Sequence, residues 1–311
     1  MAATTDNTRH RRGPDHEPST IQKLEEKVEA TIGRLIGWDD LPAWRRDNAY
    51  ILKAYRPDSN SYRGSFASLG YLHNESVNIW SHLLGALVFL YTGVFLYQEV
   101  APRYETANDS DLLVFSCFFG GAVACLGMSA TYHALSNHSP SVSRWGNKLD
   151  YSGIVLLIVG SYVPALYYGL FCHPPLITVY LSCICLLGFG CGIVSWLERF
   201  RTPEWRPLRA GMFVCFGTSG VVPVVHGLLM HGRQYMEDRM SLSWVIAHGL
   251  MYVFGAFLYA ARWPERSFPG RFDIWGSSHQ IFHLFVVLAA GTHLYGMGKA
   301  FDYHHSRLGE C

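Results

Sequence analysis

Residues 151–197 read YSGIVLLIVGSYVPALYYGLFCHPPLITVYLSCICLLGFGCGIVSWL, with no Asp, Glu, Lys or Arg. A helix needs about 20 apolar residues to cross the roughly 30 Å of a bilayer's hydrocarbon core, so this stretch is too long for one crossing. It is interrupted at His173-Pro174-Pro175, and proline inside a helix removes a donor and clashes with the preceding turn. The stretch therefore divides into two crossings joined by a tight turn.

Working outward, residues 76–98, 112–143, 210–232, 240–261 and 274–298 are equally free of charge. The pattern predicts an all-α membrane protein, a seven-transmembrane helix bundle with spans near 76–98, 111–134, 150–172, 175–197, 208–231, 241–262 and 277–298. Composition agrees: 50% of residues are hydrophobic and only 16% charged, where soluble domains carry about 25%. Pro164 and Pro223 fall mid-span and predict kinks. Gly120, Gly121, Gly188, Gly190 and Gly192 predict close approach of helices.

The flanks differ. Residues 1–18 are polar, contain Pro14 and Pro18, and read as disordered. Their basic start is followed by no apolar run, so no cleavable signal peptide is expected. From Ile21, apolar residues recur at steps of three and four (Leu24, Val28, Ile32, Leu35), which predicts a short amphipathic N-terminal helix. The expected organisation is a cytoplasmic amphipathic and juxtamembrane segment at 19–75, the bundle at 76–298 and an extracytoplasmic tail at 299–311. A net charge of +1 implies no nucleic-acid partner. Seven of the eight cysteines, Cys172 among them, lie in or beside apolar segments and read as packing thiols, not as a disulfide framework. Cys311 lies in the tail.

Lys and Arg outside the spans set the orientation. The loops after spans two, four and six carry nine (Arg144, Lys148, Arg199, Arg201, Arg206, Arg209, Arg262, Arg266 and Arg271). The opposite loops and tail carry five (Arg103, Arg233, Arg239, Lys299 and Arg307). The N-terminus is expected in the cytoplasm and the C-terminus on the other side.

Histidine is unusually common inside the spans. Ionisable residues in hydrocarbon are costly, and are either satisfied by partners or functional. His279 and His283 are four apart, so on a helix they share one face and can hold one metal between them. The inferred topology brings span seven's start, span two's end at His133 and span three's start at Asp150 to one depth. Three histidines beside a carboxylate suit a zinc ion with an open coordination position. Ser129 shares a face with His133 and could hold a water or orient an imidazole, or merely bond its own i−4 carbonyl. Asp150 could instead pair with Arg144 or Lys148. His82 reads as a core residue or an outer partner of the cluster. His226, His231, His248 and His293 lie too far toward the other face to join it.

At these motifs the chain resembles the progestin and adipoQ receptor family, eukaryotic relatives of hemolysin III that include adiponectin receptors and fungal zinc-homeostasis proteins. The resemblance rests on residues 41–52, Tyr55-Arg56-Pro57, the run from His73 to His82, Ser129-Ala130-Thr131-Tyr132-His133, the run from Leu149 to Gly153, and Ser278-His279-Gln280-Ile281-Phe282-His283. It implies a seven-helix fold with a cytoplasmic N-terminus, zinc held by His133, His279 and His283, and Asp150 close by through water. It also implies intramembrane hydrolysis of a ceramide-type amide and roles in lipid and zinc homeostasis at the plasma membrane or an endomembrane. A soluble extracellular ligand is left open.

Zinc can activate a water near neutral pH and polarise a carbonyl. Asp150 as general base completes the requirements of amide hydrolysis. The leading expectation is therefore a zinc-dependent lipid amide hydrolase, with Asp150 and Ser129 as catalytic residues and a ceramide-like lipid or free fatty acid in the bundle. The second is a signalling receptor whose zinc is structural. A transporter is disfavoured, because no inverted repeat is visible.

Overall fold

A computed structural model of the chain describes residues 35–100, 107–307 and 311. The expected disordered segment at 1–18 and the expected amphipathic helix from Ile21 fall outside the described residues, as do Arg103 and residues 308–310 of the tail.

Seven helices are long and apolar enough to cross a membrane: α1 Ser76–Gln98, α2 Asp109–Leu135, α3 Pro140–Gly169, α4 Pro174–Trp196, α5 Pro207–Met240, α6 Leu242–Ala261 and α7 Ser278–Ser306. They pack in chain order into a closed ring, with α7 returning against α1 and also touching α3 and α5. Phe118, Ala122, Leu126, Leu157 and Ala290 fill the centre between α2, α3 and α7. Large apolar side chains such as Tyr91, Leu186, Phe189 and Leu229 point outward, exposed. That is the arrangement lipid requires, because hydrocarbon solvates apolar surface and leaves only polar groups to be hidden.

The helix bounds follow local chemistry. His173 precedes α4, and Pro174 opens it, where the missing N–H costs nothing. Asn108 and Asp111 close a capping box on α2, as Ser277 and Gln280 do on α7. Two helices outrun their charge-free cores. α3 starts at Pro140, ten residues ahead of the expected 150, because Arg144, Lys148 and Asp150 are excluded from lipid but not from a helix. α7 likewise continues past 298 to Ser306. Pro223 makes no mid-span kink. The fifth span is broken earlier, between Thr218 and Val221, and Pro223 lies in the first turn of the second piece.

The glycines that let helices meet are partly others than expected. Gly120, Gly190 and Gly192 face open space, whereas Gly121 and Gly153 seal α2 to α3. A Cβ on Gly153 would sit 2.7 Å from Cys125 Cα, and one on Gly121 would sit 2.6 Å from the Leu156 carbonyl oxygen. This contact brings His133 and Asp150 to neighbouring walls of one site. Gly153→Ala is expected to force α3 away at a cost of about 1–3 kcal/mol. Its melting temperature in detergent should fall, while that of Gly190→Ala should not.

Cys172 is not a packing thiol: it forms a disulfide with Cys311. The bond ties the turn after α3 to the end of the tail. The sequence offered no sign of it, because 139 residues separate the partners.

Residues 35–75 cap one end of the bundle. Ile36 pairs with Tyr55 in an antiparallel bridge, and Leu41, Ile51 and Tyr55 pack into a small apolar cluster. The cap is pinned to the α6–α7 loop: Leu52 N–H donates to Asp273 (2.8 Å), Gly270 N–H to the Tyr50 carbonyl (3.0 Å) and Asn48 Nδ2 to Glu265 (3.1 Å).

Candidate metal centre

At the capped end, His133 from α2 meets His279 and His283 from α7. Their ring centroids lie 4.9, 4.9 and 4.7 Å apart, and the rings stand at 73–82° to one another. One ligand nitrogen from each falls within 4.8 Å of the other two. Near-perpendicular rings at equal spacing surround a common point instead of stacking.

The tautomers follow from the surrounding hydrogen bonds. His133 Nδ1 is 2.8 Å from Glu75 Oε2, so it carries the proton it donates and Nε2 keeps a lone pair. That Nε2 is buried and has no partner in the protein. His283 Nδ1 donates to the Asn78 carbonyl at 3.2 Å, which leaves its Nε2 with a lone pair as well. Imidazoles whose outer nitrogen is held by a carboxylate or carbonyl are the usual form of metal-binding histidine. The three residues therefore fit a metal ion such as zinc, and the unpartnered His133 nitrogen faces that position. His82 stacks flat on His283, with centroids 3.6 Å apart and 4° between planes, and so holds that ring from behind.

The framework is rigid because polar groups hold both helix ends. Arg56, wholly buried, donates to the carbonyls of His133 (2.6 Å) and Ala134 (2.9 Å) and to Ser68 Oγ (2.8 Å). It thereby satisfies carbonyls left over at the C-terminus of α2. Burial lowers its pKa only to about 10, so it remains a cation. Glu265, also fully buried, accepts from Ser278 N–H (2.8 Å) and Ser278 Oγ (2.5 Å), which anchors the first turn of α7 just before His279. Burial pushes the Glu75 pKa up, but the His133 ring and the Asn78 amide (2.7 Å) outweigh it, so the carboxylate is held below its usual range and ionised.

Asp150 lines the same chamber as His133. Lys148 does not engage it, being turned over the rings of Trp145 and Trp196. Ser129 is buried, and its hydroxyl lies against the Asp150 carboxyl, to which it can donate. Thr131, Ser152, Ser161 and Ser195 each bond their own i−4 carbonyl; Ser129 does not, and its hydroxyl is turned toward Asp150 in the site instead.

A cavity of about 850 Å³ runs from this cluster between α2, α3, α5, α6 and α7. That size lies in the roughly 300–1,000 Å³ range of ligand pockets. His226 and His231 stay at the opposite end, hydrogen-bonded to Tyr180 (2.7 Å) and His173 (2.8 Å). His248 and His293 also remain outside the cluster, though His293 is buried mid-helix and not interfacial. Glu75, Asn78, Arg56 and Glu265 were not singled out as site residues. Arg56, Glu75 and Asn78 lie in quoted motifs, but no spacing rule links them to residues they meet only in the fold.

The family model described as "Haemolysin-III related" matches residues 70–294. The chain belongs to this family. It is 44% identical to the ADIPOR-like receptor IZH2 of Saccharomyces cerevisiae over 288 residues, covering 91% of this chain and 89% of that protein. It is 45% identical to the adiponectin receptor protein of Drosophila melanogaster over 278 residues, covering 89% of this chain and 62% of that protein. The progestin and adipoQ receptor-like protein 1 of Caenorhabditis elegans is 39% identical over 266 residues, covering 86% of this chain and 61% of that protein. The protein is thus a seven-helix, multi-pass integral membrane protein of the adiponectin-receptor and hemolysin III type.

Proposed function

We propose that this hemolysin III family member is a zinc-dependent hydrolase of lipid amides of the ceramide type, acting inside the membrane in lipid and zinc homeostasis. The observation that carries the proposal is the His133, His279 and His283 cluster, open on a large apolar chamber and flanked by the Asp150 carboxylate and the Ser129 hydroxyl. Zinc bound there would supply an activated water and a Lewis acid for the amide carbonyl. Asp150 accepts the proton as the water oxygen bonds to the carbonyl carbon, and returns it to the leaving nitrogen as the C–N bond breaks. The products are a fatty acid and an amine. Ser129 Oγ donates to the carbonyl oxygen as negative charge develops on it. The apolar wall of Ile154, Leu157, Phe282 and Val286 receives the acyl chain.

A receptor whose zinc is structural is the second reading. It is favoured by one observation, that the cluster bridges α2 and α7 and is braced by Glu75 and Asn78 at the start of α1. Zinc per chain and turnover of defined lipid amides, measured on one purified sample and on His283→Ala, separate the two. Hydrolysis that disappears with the metal supports the enzyme; zinc-loaded, well-folded protein that turns over no lipid amide favours the receptor.

The proposed orientation places the cluster at the cytoplasmic face and the Cys172–Cys311 disulfide at the opposite one. Disulfides persist in oxidising compartments, which agrees with the Lys and Arg asymmetry. In intact cells with the protein at the surface, a tag at Met1 should resist protease and a tag after Cys311 should be cleaved. Both tags reporting one side would overturn this orientation.

A further inference from the structure

The chamber has a second polar pole that hydrolysis leaves unused. His248 on α6 and His293 on α7 face each other, with ring centroids 4.7 Å apart at 72°, and both line the cavity. His293 is 1% exposed, yet neither of its ring nitrogens has a hydrogen-bond partner. The Ser161 carbonyl lies beside the ring and offers it only a poorly aligned acceptor. Tyr252, one turn along α6 from His248, also lines the cavity, and its buried hydroxyl is equally unpartnered. His248 Nδ1 donates to the Trp244 carbonyl at 3.1 Å, so its Nε2 is left as an acceptor. Buried polar groups without partners are costly, which makes this pole a place that gains by being filled.

The chemistry of the occupant follows. Among the described residues no carboxylate, Lys or Arg lines this end of the chamber, so a charged group would find no counter-ion among them. The pole offers both donors and acceptors, and a hydroxyl both donates and accepts. Ten residues of α7 separate His283 from His293, which is about 15 Å at 1.5 Å per residue. Between the two poles the wall is apolar, formed by residues such as Leu157, Phe282 and Val286.

We propose that His248, Tyr252 and His293 form a hydroxyl-binding subsite about 15 Å from the histidine cluster, selecting lipids whose acyl chain carries a mid-chain hydroxyl. This spacing corresponds to roughly a dozen carbons of extended chain, given C–C bonds of about 1.5 Å in zigzag. The inference deepens the lipid reading of the chamber and rests on it, but does not require that any bond be cleaved.

Equilibrium binding to the purified full-length protein tests it, with three 18-carbon acids as probes: octadecanoic, 2-hydroxyoctadecanoic and 12-hydroxyoctadecanoic acid. The 12-hydroxy acid is expected to bind about tenfold more tightly than the other two, the effect of one or two buried hydrogen bonds. His293→Leu and the near-isosteric Tyr252→Phe should each erode that preference, while His226→Ala, which does not line the chamber, should keep it. Equal affinities for the three acids, no binding of any, or a preference unchanged in both His293→Leu and Tyr252→Phe overturns the subsite. A protein that keeps the 12-hydroxy preference but cleaves no lipid amide sinks the hydrolase reading alone. One that cleaves lipid amides without the preference sinks the subsite alone.

Discussion

Replacing His133 with Ala is expected to empty the metal centre. His133 alone brings α2 to the cluster, and the two α7 histidines that remain are too few to hold zinc in a closed set. The drop in bound zinc should exceed the roughly 10–100-fold affinity loss typical of removing an outer hydrogen-bonding partner. Glu75→Gln, which weakens the hold on His133 Nδ1 and on the Asn78 amide but leaves all three imidazoles in place, should give that smaller loss. Because metal binding is also folding free energy, the His133→Ala protein should melt earlier as α2 and α7 come untied. His226→Ala, hydrogen-bonded to Tyr180 at the other end, is the control and should bind metal as the parent does. Metal analysis by mass spectrometry together with thermal melts reads all three variants. Full zinc occupancy in His133→Ala would remove this residue from the centre.

Asp150→Asn should separate chemistry from metal binding. The side chain keeps its shape and can still hydrogen-bond, but an amide does not readily accept the proton. Asp150 is not among the three residues that converge on the metal position, so zinc and fold should both be retained. Turnover of a ceramide-type amide is then expected to fall about 100-fold or more, the range for losing a general base. If zinc is purely structural, neither protein hydrolyses the lipid and only a modest stability change accompanies the substitution. Parent-like turnover in Asp150→Asn would take this carboxylate out of the reaction while leaving zinc chemistry in place.

The bundle was legible in the chain because the bilayer imposes a one-dimensional rule. A crossing must be long and free of charge, and residues 151–197 with their central His173-Pro174-Pro175 already announce two crossings and a turn. The histidine cluster was legible for a related reason. His279 and His283 are neighbours by helix geometry alone, and span parity puts His133 and Asp150 at their depth, where the structure also has them.

What the sequence could not supply is everything set by side-chain direction and by contacts between distant segments. Gly120 and Gly121 are equivalent as letters, yet only Gly121 meets α3, because helix rotation is fixed by packing in three dimensions. Charge-free length undercounted α3 and α7, since a helix tolerates charges that lipid does not. Glu75 lies 58 residues from the histidine it orients, and Cys172 lies 139 residues from its disulfide partner. The two poles of the chamber likewise exist only where five helices close around it. Residue type and spacing determined which groups could bind a metal in this protein; only the tertiary structure decided which nitrogens are left free to do so, because a ring's free nitrogen is whichever one its neighbours do not hold.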